Sequence, residues 1–249
     1  MKKDGLATIG SLCALTAFWT VLAWLKADAS VLPSPLAVLH VTLREMASGA
    51  MWHHLSATLS RVCVAFALSM ILGAVIGIVL GRLPKADRFL SPWVTVFLNV
   101  PALVIIVLCY MWIGLNEIAA ITAVTLNKTA QVLVTLRDGA KTTDTALFEM
   151  AKIYRMNAMS RLRHVLLPQL APYFAVAARN GIAMIWKIVL VVEFLGRSNG
   201  VGFKIHLYFQ NFQTAHVLAY ALSFVVVMLA VEALIIAPWE KHASRWRHA

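Results

Sequence analysis

Charged residues are scarce in this chain of 249 residues, and acidic residues are the scarcest of them. Only 13% of the residues are charged, with 11 Asp and Glu against 22 Lys and Arg, whereas 61% are hydrophobic. The mean hydropathy is +0.78. Soluble domains carry about 25% charged residues. The composition therefore excludes an ordinary soluble protein and indicates a chain that is embedded in a lipid bilayer.

Metal-binding and phosphate-binding patterns are also missing. The three cysteines, Cys13, Cys63 and Cys109, lie within or at the ends of apolar segments and have no metal-ligand spacing. The chain has no G-x-x-x-x-G-K-[ST] loop, so we expect it neither to hydrolyse ATP nor to hold a metal or cofactor of its own. The net charge of +11 is spread over many segments, which argues against a nucleic-acid partner.

Six apolar segments reach or approach the roughly 20 residues that a membrane-spanning helix needs. They are residues 6–25, 62–81, 89–112, 118–136, 173–192 and 217–239. Pro101 is expected to kink the third span if that helix is continuous. With the N-terminus inside, 14 of the 22 Lys and Arg lie in inside segments and 4 in outside segments, as cytoplasmic retention of cations requires. We predict an all-α membrane protein with six transmembrane helices, both termini in the cytoplasm, and residues 1–249 in one domain.

Residues 27–60 form a predicted outer loop between the first two spans. Ser34 before Pro35 is typical of a helix start with a serine cap, and the residues that follow are amphipathic. This pattern predicts a helix that lies along the outer membrane interface. Arg61 follows the loop and is interpreted as an interfacial anchor.

Gly73, Gly77 and Gly81 in the second span lie four residues apart, on one face of a helix. Small residues at this spacing let another helix approach closely, so we predict a packed helix-helix contact there. Glycine is also generally common in membrane helices, which is the alternative explanation.

Charged residues inside predicted spans are costly and indicate function by default. They occur at Lys128 in the fourth span and at Arg179 and Lys187 in the fifth. Arg179, Trp186, Lys187 and Glu193 fall on one broad helix face, which predicts the lining of a translocation pathway. Cations without matching buried acids favour an anionic solute. The alternative is that these cations snorkel or pair with acids for structure alone.

Residues 137–168 form a long, basic inside loop. Apolar residues recur in it at helical intervals, which predicts two short amphipathic helices broken near Asn157. Such a surface suits docking to a soluble partner, although a helix that lies on the membrane surface has the same pattern.

Glu149, Ala151 and Pro168, with the acid and the proline 19 residues apart, resemble the EAA loop of ABC importer permeases. The flanking segments agree over nearly the whole chain, and the likeness is greatest to the nitrate, sulfonate and taurine branch. Arg155 stands where the loop usually has glycine, and we expect the tight turn to be displaced to Asn157. The resemblance assigns ATPase coupling to Glu149, Ala151, Tyr154, Arg155, Asn157, Arg161 and Pro168.

The resemblance implies a type I ABC importer permease in the bacterial inner membrane. Its implied partners are a second permease copy, two cytoplasmic ATPase subunits that bind ATP and Mg, and an extracytoplasmic solute-binding protein. Its implied cargo is a small anion such as nitrate, a sulfonate or taurine. The alternative function is that of an ATP-independent secondary transporter or channel; Glu232 is the one acid deep in a predicted span that would support ion coupling.

Overall fold

The computed structural model of the chain describes residues 2–236, with the side chains of residues 10–234. All its regular elements are helices, as predicted. They are α1 (Lys2–Lys26), α2 (Pro35–Ala47), α3 (Ala50–Arg82), α4 (Pro84–Asn99), α5 (Ala102–Ile113), α6 (Glu117–Lys141), α7 (Thr145–Ile153), α8 (Ala158–Arg161), α9 (Leu167–Gly196), α10 (Val201–Gln210) and α11 (Thr214–Val231), with π-helical turns at Leu162–Leu166 and Glu232–Ile236.

Four helical segments of the described chain are long and apolar enough to cross a membrane. They are Ala50–Arg82, Glu117–Lys141, Ala158–Gly196 and Thr214–Leu234. The pair α4 and α5 brings the number to five if it counts as one span, and Gly10–Lys26 is apolar but shorter. The count of six spans and the cytoplasmic termini therefore stay predictions. The end of the sixth predicted span, residues 237–239, lies outside the described residues.

The third predicted span is two helices instead of one. Helices α4 and α5 meet at an angle of 94°. Pro101 has no N–H to continue the helical ladder, and it disfavours helical geometry at the residue before it. Val100 accordingly has ψ of 124° and ends α4. The sequence located the break but did not predict its size, because a proline inside a membrane helix is also compatible with a mild kink.

The described residues divide into two compact units. The first combines the residues up to Thr58 with Glu193–Met228, and the second combines Leu59–Val192 with the residues from Leu229 onward. In the first unit, Ser34 caps α2 by accepting a hydrogen bond from the Ala37 N–H at 3.2 Å, which confirms the predicted helix start.

A buried hydrogen-bond network organises the first unit. Glu193 is 0% exposed, and one of its carboxylate oxygens accepts from the Thr58 hydroxyl and from the Gly202 N–H, each at 2.9 Å. The Val201 N–H donates to the Thr58 oxygen at 2.8 Å. Because the first N–H groups of a helix have no partner within it, these two side chains satisfy the start of α10.

A second cluster in the first unit surrounds Glu45. Its carboxylate accepts from the hydroxyl of Tyr220 at 2.6 Å and from that of Tyr208 at 3.4 Å. The Lys204 ammonium lies 5.2 Å from the centroid of the Tyr208 ring. Burial raises the pKa of Tyr208, and the neighbouring Glu45 charge raises that pKa further.

Helices α3 and α6 of the second unit pack at very short range through the three glycines. A Cβ added at Gly77 would lie 2.5 Å from the backbone oxygen of Leu133, and one at Gly81 would lie 2.6 Å from that of Arg137. A Cβ at Gly73 would collide with the side chain of Val132. The backbone of α6 thus occupies the space that a larger residue on α3 would need.

Ion pairs of the second unit correct one prediction. Arg61 was predicted to be an interfacial anchor, but it is 4% exposed and its Nε donates to Glu117 at 2.6 Å. Arg61 is therefore a buried partner of α6. At the other end of α6, Asp87 pairs with Lys141 at 2.6 Å and with Arg137 at 3.3 Å.

Replacing Gly77 by alanine is expected to destabilise the protein by about 1–3 kcal/mol, because the added methyl group meets the α6 backbone, which cannot rotate away. Thermal unfolding of the purified chain in detergent measures the change. Gly10→Ala is the matched control, since no atom lies within 4 Å of the position of its Cβ. Equal melting temperatures for Gly77→Ala and the control would contradict the close contact.

Candidate functional site

The predicted inside loop, residues 137–168, begins later in the structure, because α6 extends to Lys141, and the coupling segment is therefore residues 142–168. It contains two helical stretches with a break before Ala158, as predicted. Only α7 is a short separate helix, because α8 is the start of a longer one. Asp144 caps α7, since its side chain accepts from the Ala146 N–H at 2.8 Å. The Asp144 N–H donates to the Gln169 side chain at 2.7 Å. This contact ties the start of the segment to the start of α9, 25 residues later.

The turn between α7 and α8 is built on Arg155. Arg155 has φ of +51°, in the left-handed region that favours glycine. The Met156 N–H donates to the Ala151 oxygen at 2.9 Å and the Arg155 N–H to the Lys152 oxygen at 3.0 Å, which together form a Schellman motif. The prediction that this geometry moves to Asn157 is wrong. Asn157 has φ of −68° and caps α8 by accepting from the Ser160 N–H.

Helix α7 buries one side and exposes an apolar stripe on the other. Ala151 is 0% exposed, whereas Ile153 is 80% and Tyr154 is 74% exposed. Leu147 and Met150 continue the stripe at helical spacing and are also exposed. Glu149, Lys152 and Arg155 are exposed beside it. The segment thus exposes apolar side chains with charged side chains beside them.

The coupling segment runs without interruption into a spanning helix. Ala158–Gly196 is continuous over 39 residues, through the π-helical turn Leu162–Leu166. Pro168 follows this turn; in a regular α-helix its ring would crowd the carbonyl of His164. No loop separates α8 from α9.

A cavity of about 400 Å³ lies in the second unit, between one face of α6 and one face of α9. Lys128, Gln131 and Thr135 line it from α6 at intervals of three and four residues. The other lining residues are Leu98, Val132, Val134, Ala177, Asn180, Gly181, Ala183 and Met184. The walls are apolar, with amide, hydroxyl and ammonium groups set among them, as in many small-molecule sites.

Lys128 is held at the wall of this cavity by neutral partners. It is 1% exposed, and its ammonium donates to the Gln131 side-chain oxygen at 2.9 Å and contacts the Met184 sulfur at 3.3 Å. None of the ion pairs between described residues involves Lys128. Lys128, Gln131 and Met184 all line the cavity.

The other predicted pathway residues lie along α9 but do not line this cavity. Arg179 and Trp186 share a stripe with Ala183, and Lys187 shares one with Asn180 and Met184. Arg179 and Lys187 are exposed, and the Lys187 ammonium lies 5.5 Å from the Trp186 ring centroid. Glu193 belongs to the buried network described above, and its place in a pathway stays a prediction.

Several residues around these sites were missed by sequence reasoning. Gln131 had a signal, because it follows Lys128 by three residues on the same helix face. Asn180 and Met184 had none, since they line the cavity from another helix. Glu45 bonds to tyrosines 163 and 175 residues away in sequence, and no local pattern marks such a pairing.

Comparison with known proteins identifies the family. The family described as "Binding-protein-dependent transport system inner membrane component" matches residues 69–237. The chain belongs to this family. It is a permease subunit of an ABC importer and a multi-pass protein of the bacterial inner membrane.

Two curated relatives cover most of the permease. A protein of Bacillus subtilis (strain 168), named as the aliphatic sulfonates transport permease SsuC, is 28% identical over 237 residues, which are 94% of this chain and 85% of that protein. The taurine transport system permease TauC of Escherichia coli (strain K12) is 26% identical over 211 residues, 82% of this chain and 77% of that protein.

A solved structure supports the predicted fold class. A chain of the inward-facing MetNI methionine ABC transporter matches with a TM-score of 0.65 at 18% sequence identity, covering 76% of this permease and 93% of that chain. The fold is thus that of a type I ABC importer permease. Among the described residues of this permease, no group of three or more His, Cys, Asp or Glu is placed to hold a metal ion.

Replacing Arg155 by glycine is expected to stabilise the turn after α7 by about 1 kcal/mol, because a Cβ in the left-handed region is removed. The protection factor of the Met156 amide, measured by hydrogen exchange, should rise roughly fivefold. Arg155→Ala is the control: it also removes the guanidinium but keeps the Cβ. Equal protection in the two variants would show that side-chain charge, and not backbone strain, sets the stability of the turn.

Proposed function

We propose that the permease carries a small organic anion of the sulfonate class and is driven by ATPase subunits that dock on residues 142–168. The observation that carries the substrate proposal is Lys128, a cation at the wall of a membrane cavity with no acidic partner among the described residues. A buried charge without an opposite charge is costly, and an anionic solute would supply the missing charge during transport.

The names of the relatives agree with this substrate class. SsuC is named for aliphatic sulfonates and TauC for taurine, which is itself a sulfonate. A sulfonate is a fixed anion at neutral pH, so Lys128 provides charge and the neutral groups of Gln131, Thr135 and Asn180 provide hydrogen bonds. Arg179, Trp186, Lys187 and Glu193 on α9 are proposed to extend the pathway beyond the cavity.

The proposed ATPase contact is the exposed stripe of α7 and the turn after it. Ile153 and Tyr154 expose most of their surface, and large apolar and aromatic side chains of this kind dominate protein interfaces when they are covered. Glu149 and Arg155 would pair with groups at the rim of an ATPase cleft, and Arg161, on α8, would belong to the part of the segment that moves. Ala151, Asn157 and Pro168 shape the segment from within.

The proposed coupling is mechanical. ATP binding would close the two ATPase subunits and move α8, and α9 would follow, since Ala158–Gly196 is one helix. Arg161 and Asn180 are 19 residues apart, or about 29 Å along an α-helix. The wall of the cavity on α9 would thereby shift relative to Lys128 on α6. A second copy of the permease and an extracytoplasmic solute-binding protein would complete the complex, and ATP and Mg would bind to the ATPase subunits.

Ile153→Asp is expected to weaken binding of the ATPase subunit roughly thirtyfold, because an interface hot spot contributes about 2 kcal/mol and a desolvated carboxylate opposes docking. Glu149→Arg should act in the same direction. Affinity of the detergent-purified permease for the purified ATPase subunit is the measurement. Lys85→Gln, at an exposed cation on α4, is the control variant. Unchanged binding by both Ile153→Asp and Glu149→Arg would refute the docking proposal.

Lys128→Gln is expected to lower kcat/KM for uptake of a sulfonate at least about tenfold, because a charge-assisted contact to the solute is lost. Uptake is measured in liposomes that contain the full complex with ATP inside. Lys128→Arg keeps the charge and should retain a larger share of transport than Lys128→Gln. Equal uptake by wild type and Lys128→Gln, with normal assembly, would exclude the cation from recognition.

The requirement for ATPase subunits is tested with liposomes of the same lipids. Permease reconstituted without ATPase subunits should give no uptake, whether or not an ion gradient is imposed. Uptake by the chain alone would support the alternative of a secondary transporter or channel.

A further inference from the structure

A second cavity, of about 250 Å³, lies between the last turn of α3 and the coupling segment. The residues that line it are Arg82, Phe148, Ala158, Arg161, Leu162 and Leu166. Two arginines thus border one small space whose other lining residues are a phenylalanine and aliphatic residues. The two sides come from segments more than sixty residues apart in sequence, so the space is created by the fold.

The guanidinium of Arg82 is held in place by a ring and not by an acid. Its carbon lies 4.1 Å from the centroid of the Phe148 ring, at the distance of a cation–π contact. A contact with a ring occupies no hydrogen-bond acceptor, so the N–H donors of the guanidinium stay available to an anion. The ion pairs found between described residues include neither Arg82 nor Arg161. An anion between the two arginines would remove their mutual repulsion.

Arg82 also stands at the end of an exposed apolar stripe of α3. Val64, Leu68, Ile71, Val75 and Val79 lie on the same helix face as Arg82 and are between 40% and 60% exposed. From Val64 to Arg82 the helix rises about 27 Å, which is close to the thickness of the hydrocarbon layer. The three glycines that contact α6 occupy the opposite face of α3. The stripe therefore faces away from α6.

We propose that this cavity binds the phosphate of an anionic phospholipid, with the acyl chains of the lipid along the half of the stripe nearest Arg82, at Ile71, Val75 and Val79, because one lipid fills only one leaflet. Guanidinium groups bind phosphate through paired N–H donors, and the headgroup of a lipid lies at the level where a spanning helix ends. A soluble phosphate would use the two arginines but not the stripe. A carboxylate of an ATPase subunit would likewise leave the stripe unexplained.

The bound phosphate bridges Arg82 on α3 and Arg161 on α8. It therefore joins a spanning helix to the coupling segment, and it does so on the face of the segment that bears Phe148. Lipid composition thereby acts on the position of the coupling segment. The binding itself needs no ATPase subunit, so it is testable apart from the proposed transport function.

The test uses the full-length chain in nanodiscs of equal phosphatidylglycerol and phosphatidylcholine, followed by native mass spectrometry of the released protein. Wild type is expected to retain phosphatidylglycerol preferentially. Arg82→Gln should lower that retention about fivefold, because one charge-assisted contact to the phosphate is lost. Arg88→Gln is the matched control, because Arg88 is an exposed cation of α4 that does not line the cavity.

Three results would overturn the proposal. The first is equal retention of phosphatidylglycerol by Arg82→Gln and wild type, and the second is an equal loss in the Arg88→Gln control. The third is displacement of the lipid by excess inorganic phosphate, which would identify a soluble anion as the ligand. If Arg82→Gln fails to fold, Phe148→Leu decides: it keeps both cations but removes the ring that orients Arg82, so unchanged lipid retention by this variant also refutes the site.

Discussion

The interior of a bilayer offers no water to a backbone N–H or C=O group, and this constraint governs where the described chain stays helical and where it breaks. Helices α3, α6 and α9 satisfy their own backbone groups over long stretches. At the start of α10, the first backbone N–H groups have no partner within the helix. The side chains of Thr58 and Glu193 accept hydrogen bonds from them. The buried carboxylate is thus explained by the helix end that it completes.

Two buried cations on spanning helices differ in the partners that surround them. Arg61 and Lys128 are both almost fully buried on spanning helices. Arg61 has an acid, Glu117, on the neighbouring helix, and the pair accounts for its charge. Lys128 has an amide and a thioether instead, beside a cavity. Neutral partners lower the cost of burying an ammonium but do not cancel its charge, so the cation stays available to an anion.

Much of the fold followed from one-dimensional patterns. Apolar run length predicted the helical membrane class, and Ser34 and Pro35 predicted the start of α2. The apolar periodicity of residues 142–168 predicted α7 and the break after it, but the second predicted short helix is the start of a 39-residue helix. The turn at Arg155 was misjudged because residue preference favoured Asn157, whereas the two hydrogen bonds that end α7 fix the left-handed residue by position. The environment of Lys128 was only half predictable, since Gln131 is local and Asn180 and Met184 are not.

The sequence by itself determined that the chain is a helical membrane protein and that Lys128, Arg179 and Lys187 lie within apolar segments, and it predicted which loop docks to a partner. It could do so because hydropathy, charge and helical period act over short distances along the chain. The tertiary structure alone decided which cation is paired and which borders a cavity, that α8 runs directly into α9, and that Arg82 and Arg161 share one space. These properties depend on which helix faces meet. Contacts between residues far apart in the chain leave no periodic pattern in the amino-acid sequence.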